Sequence, residues 1–240
     1  MRTEEGVNTA VANAINFFKE SREPHALLWL AVMHQRFGIQ EFADALQRYD
    51  RVLIEQPEQA PLRRVLRRFA DRDNPLRPED WDAVTLQSDR ILVCALYCDR
   101  LGLPASFVEM LHKAASAGGY YLTHVILVWF WIQKNGCGLA LPEGFMDRVY
   151  SASAAIINND PTMVSDLRLE VAAFLRLVGQ GALIDEVFIE RVIASQNSDG
   201  GWGQSRDEQG GSDWHSTILG LLLLLHLKFP ADSIEVHHSR

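Results

Sequence analysis

The nine residues Ser195-Gln-Asn-Ser-Asp-Gly-Gly-Trp-Gly203, followed ten residues later by Asp213-Trp-His-Ser-Thr217 and the apolar run Ile218–Leu225, decide how this chain is read. Gln196 and Asn197 end a helix. Asp199-Gly200-Gly201 makes a tight turn that needs positive φ, and Trp202 folds back as an aromatic anchor against helix ends. The stretch reads as a latch between one helix and the next.

Working outward, helical spacing dominates, and no short alternating Val/Ile/Thr run reads as a strand. Apolar segments end alike, with Gly where a left-handed residue closes a helix. They are His25–Gly38, Ser88–Gly102, Leu122–Gly136 and Ser165–Gly179; a fifth, His215–Phe229, is closed by Pro230. Between them the pattern places amphipathic helices at Ile39–Tyr49, Pro61–Asp71, Pro104–Ala117, Pro142–Asn158 and Ile184–Gln196. Gly102, Gly136 and Gly179 stand 34 and 43 residues apart, the size of helical-hairpin repeats. The fold class expected is all-α, a single domain over residues 1–240 built as an α/α-toroid-like array of hairpins. Six hairpins need about 240–280 residues, so five inner helices in 240 residues read as an incomplete ring.

The Gln196–Gly203 stretch QNSDGGWG resembles the QW-type repeat of the terpenoid cyclase and protein prenyltransferase superfamily, whose toroids carry such turns between an outer and the next inner helix. The resemblance covers Ile193–Phe229 and implies inner helices around an apolar cavity that handles isoprenoid chains. The family's catalytic patterns are missing: the chain has no D-x-D-D and no D-D-x-x-D. Asp213-Trp-His-Ser-Thr217 is similar to the D-x-x-H-T segment of the prenyltransferase zinc site, but His215 stands one position early. No Asp-x-Cys opens Leu122–Gly136 or Ser165–Gly179.

In a stack of hairpins the inner helices run parallel, so their N-termini collect at one end. That end holds His25, Asp89, Thr123 with His124, Asp166, and His215 with Thr217. Ser, Thr and Asp there serve as N-caps; His is a poorer cap and points to acid/base or ligand chemistry. The candidate catalytic residues are therefore His124, His215 and Asp213. Asp89, Tyr121, Trp129, Asp166 and Trp214 are the candidate substrate-binding residues, the aromatic ones gripping an apolar ligand. No metal and no cofactor is assigned. Cys94 and Cys98 stand four apart, a spacing that two thiolate ligands share with His124 or His215, although buried cysteines on an apolar helix are commoner than metal ligands. The band Arg63, Arg64, Arg67 and Arg68 has Asp71, Asp73, Glu79 and Asp80 as nearby partners, and His112 reads as a surface residue.

Thirty-one acidic against 23 basic residues, a net charge of −8, argue against a nucleic-acid partner. The runs Val125–Ile132 and Ile218–Leu225 fall short of the roughly 18 residues of a membrane span. No secretory signal is read at the start, so three reduced thiols in the cytoplasm are the default. A basic set of 19 Arg and 4 Lys is what a GC-rich bacterial gene encodes. Two functions follow. One is a bacterial protein of secondary metabolism that binds an isoprenoid- or polyketide-like molecule in a helix-lined cup, with His-based acid/base chemistry. The other is a non-catalytic binding or interaction module, with a homodimer expected from an open ring edge.

Overall fold

The computed structural model describes residues 3–204 and 211–229. Among them thirteen α-helices form: α1 Glu4–Phe17, α2 Pro24–Phe37, α3 Ala45–Glu55, α4 Ala60–Leu66, α5 Pro78–Trp81, α6 Gln87–Leu96, α7 Cys98–Leu101, α8 Phe107–Ala117, α9 Gly119–Lys134, α10 Phe145–Asn158, α11 Asp166–Leu177, α12 Glu186–Ala194 and α13 Trp214–Lys228. The described residues contain no strand, only an isolated bridge between Trp202 and Asp213. The chain is all-α. It divides into two compact units: Met1–Val52 with Ile156–Arg240, and Leu53–Ala155.

In unit 1, α13 is the core. It is buried from Ser216 to His226 without interruption, and α1, α2 and α11 pack around it. Such a helix has no polar face to offer water, which is why its sequence is apolar nearly all round. The N-terminal helix α1 was not anticipated from sequence. Thr3 caps it by accepting from the Gly6 amide, Glu4 and Glu5 suit its positive end, and Val7, Ala10, Val11 and Ala14 form its buried stripe. Helices α2 and α11 end at the expected glycines, with Gly38 and Gly179 at positive φ. The proposed closing residue of α13, Pro230, lies outside the described residues.

In unit 2, α9 packs against α6 and α8. The expected continuous helix Ser88–Gly102 is broken at Tyr97, which leaves the helical region (φ −113°, ψ 12°). The break has partners on every side. The buried Tyr97 hydroxyl donates to the Val65 carbonyl at 3.0 Å and accepts from the Asn74 amide at 2.9 Å. The freed Leu96 carbonyl accepts from Asn135 at 3.1 Å and from Arg68. Three arginines of the band pair with carboxylates, Arg64 with Asp80, Arg67 with Asp71 and buried Arg68 with Asp99 at 2.7 Å, and Arg63 donates to the side-chain oxygens of Gln56 and Gln59. Desolvated cations need such partners.

The three cysteines are not all thiols, contrary to the reduced default. Cys98 and Cys137 form a disulfide across Cα atoms 6.1 Å apart, tying α7 to the segment after α9. Cys94 alone is a thiol, and burial raises its pKa.

Candidate functional site

The latch sets the start of α13. Asp199 folds over the turn, its carboxylate accepting from the amides of Gly201 (3.1 Å) and Ser212 (2.9 Å) and from the Ser212 hydroxyl (2.6 Å). Although burial opposes ionisation, these donors hold its pKa below the usual carboxylate range. Gln196 reaches the Ala10 carbonyl of α1 at 2.8 Å and the Gly200 carbonyl at 2.9 Å. Gly200 sits at φ 91°, and a Cβ there would strike the Asn13 carbonyl oxygen. Trp202 is fully buried; its indole N–H donates to the Val192 carbonyl at 2.7 Å and its amide to Thr217 Oγ1 at 2.9 Å.

From that anchor the first turn of α13 is fixed. The Asp213 amide donates to the Trp202 carbonyl at 2.9 Å, and the Asp213 carboxylate caps the helix by accepting from the Ser216 amide at 2.8 Å. Two residues after Asp213, His215 turns toward α11. Its Nδ1–H donates to Asp166 Oδ1 at 2.8 Å, and its Nε2 lies 3.5 Å from Glu170 Oε2. The Ser216 hydroxyl donates to the same Asp166 oxygen at 2.8 Å. Asp166 opens α11, yet Ser165 makes no side-chain cap there. The Asp166 carboxylate instead receives donors from the neighbouring helix.

Electrostatics follow from this clamp. Desolvation works against a charged imidazole, but the hydrogen bond to Asp166 and the negative charges of Asp166, Glu170 and Asp213 outweigh it, so the His215 pKa is raised. Glu170 is 1% exposed, a buried carboxylate facing an imidazole. Half-buried Trp214 and the exposed His25 flank the cluster, with ring centroids 6.1 Å apart, while half-buried Trp29 stacks on Phe174 in the second half of α11 at 6.1 Å. The His25–Trp214 and His215–Asp166 contacts join the first turn of α13 to the first turns of α2 and α11.

Of the residues proposed from sequence, Asp166, Asp213, Trp214 and His215 are thus assembled in unit 1. Asp89, Tyr121, His124 and Trp129 belong to unit 2. There Asp89 lies half-buried in the first turn of α6, Tyr121 is 54% exposed, and Trp129 is half-buried on α9. The His124 Nδ1–H donates to the Tyr120 carbonyl at 2.6 Å, four residues back along α9. Glu170 was missed, although a lone acid one turn after Asp166 inside the apolar run of α11 was a signal.

Asp166, Asp213 and His215 offer ligand atoms that all lie within 4.8 Å of one another, a set able to hold a cation. For Nδ1 to serve as a ligand, the proton that it donates to Asp166 would have to leave. The two-thiolate arrangement weighed from sequence does not form, because Cys98 is bonded to Cys137 and α6 ends before it. Comparison with family models, with curated proteins and with solved structures finds no match for this chain.

Proposed function

We propose that this chain binds an apolar small molecule, isoprenoid- or polyketide-like, at the gathered N-terminal ends of α2, α11 and α13, with His215 as its acid/base group. The observation that carries the reading is His215 held between Asp166 and Glu170 beside the half-buried indole of Trp214, their ring centroids 5.3 Å apart. An imidazole whose pKa a carboxylate raises can donate a proton to a carbonyl or leaving group, and the same carboxylate orients the ring when the proton returns. The aromatic rings supply apolar contact and a quadrupole for developing positive charge. The toroid-like array and a place in bacterial secondary metabolism belong to this reading, supported by the QNSDGGWG resemblance, the hairpin-sized glycine spacing and the Arg-rich basic set.

The second reading, a non-catalytic interaction module able to dimerise, is favoured by α13, which is buried along eleven consecutive residues, so that this core is filled by side chains. On localisation, no helix among the described residues is long and apolar enough to cross a membrane. A lasting Cys98–Cys137 bond favours an oxidising compartment over the cytoplasm, where thiols are kept reduced.

Native mass spectrometry with farnesol as the isoprenoid probe separates the two functions. The binding reading predicts a one-to-one complex that Trp214→Ala weakens by about tenfold, while His215→Gln binds farnesol as the wild type does. A chain that binds no farnesol and is dimeric supports the module instead.

A further inference from the structure

Unit 2 contains a cavity of about 230 Å³ between α8 and α10, well separated in sequence from the His215 cluster. On α8, His112 and Ser116 face it one turn apart; on α10, Arg148, Val149 and Ala152 share the opposing face. Phe145 and Leu122 complete an apolar wall, and the His112 ring lies on Phe145 with centroids 4.5 Å apart. Three groups with N–H or O–H donors therefore rim an otherwise apolar hollow, and no carboxylate lines it in a chain whose net charge is −8.

Arg148 is the anchor. One Nη1 contact, to the Glu143 carbonyl at 3.1 Å, braces the guanidinium against the Gly144 turn. Among the described residues no Asp or Glu forms an ion pair with it. A planar guanidinium matches a carboxylate in bidentate fashion. One such anchor suits a monoanion, and the volume is below the 300–1,000 Å³ typical of sites for drug-sized ligands.

We propose that this cavity binds a small monocarboxylate with a short apolar tail, its carboxylate on Arg148 and its tail against Phe145, Leu122 and Val149. The site neither uses nor depends on His215. Calorimetric titration of the full chain with hexanoate, and with hexylamine as the cation bearing the same tail, tests it. The expected result is saturable hexanoate binding that Arg148→Gln weakens by about tenfold or more, that Arg148→Lys partly restores, and that Ala152→Phe abolishes by filling the hollow. Arg148 and Ala152 are both exposed, so these variants should fold, and circular dichroism checks that they do. Absence of saturable hexanoate binding, equal binding of hexylamine, or hexanoate binding indifferent to Arg148→Gln or to Ala152→Phe would each overturn the assignment.

Discussion

Trp202→Ala is expected to destabilise the chain by about 3–5 kcal/mol, the range for a large aromatic removed from a packed core. The ring is 0% exposed, so its loss leaves a cavity, and the Val192 carbonyl loses its indole donor. Against a total stability of about 5–15 kcal/mol, that is a large share, and urea denaturation measures it. A companion substitution tests the geometry rather than mere burial. A Cβ on Gly220 would stand 2.7 Å from Trp202 Cε3, so Gly220→Ala forces the ring or α13 to move and costs about 1–3 kcal/mol. In the Trp202→Ala background the clash is gone, and the same change stabilises by about 1 kcal/mol through helix propensity. The same sign in both backgrounds would mean that Gly220 is not there for the tryptophan. Because the Trp202 carbonyl and amide hold Asp213 and Thr217, loosening the latch also releases the turn that carries His215.

Acidification is expected to weaken unit 1 by about 3 kcal/mol between pH 6.5 and about 4, through His226. This imidazole is buried on α13. Its Nδ1–H donates to the Leu222 carbonyl at 2.9 Å, its Nε2 has no partner among the described residues, and Phe37 stands edge-on at 5.0 Å. Burial first, and then the charges of Arg36 and Arg176, lower its pKa from 6.5 to about 4. The sign follows: in that window the unfolded chain binds the proton and the folded chain does not, so stability is complete above pH 6.5 and falls as pH drops toward 4. His215 runs the other way, since its raised pKa gives a contribution that is full below 6.5 and lost as pH rises through the folded value. Urea midpoints across pH for wild type and His226→Leu check the claim. The acid slope should shrink in the variant; an unchanged slope would place the titrating group elsewhere.

The helix ends were the most legible part of the fold, because a left-handed glycine is a local requirement: Gly38, Gly102, Gly136 and Gly179 all take positive φ. What escaped depends on distant partners. The break at Tyr97 arises from Val65, Asn74 and Asn135, and nothing local in SDRILVCALYCDRLG marks it. The Cys98–Cys137 pairing is likewise tertiary. The α1 helix carried a readable cap and acidic first turn but too weak an apolar stripe to stand out against the five richer segments. Within the site, Asp213-Trp-His pointed to the start of α13, and Asp166 followed from parallel inner helices. Glu170 was marked only as a lone acid one turn after Asp166 in an apolar helix; its partner His215 lies on another helix and is not local to it. Asp213, a catalytic candidate from sequence, caps α13, whereas Asp166, for which a cap was the simpler reading, takes its donors from α13.

The measurement that bears most directly on the proposed chemistry is the titration of His215 by long-range proton–nitrogen correlation in uniformly labelled protein, with Asp166→Asn as the comparison. A clamped acid/base histidine titrates above 6.5 with both ring nitrogens protonated below that point, and Asp166→Asn brings the value down. A His215 that titrates at or below 6.5, or one that ignores Asp166→Asn, would contradict the account.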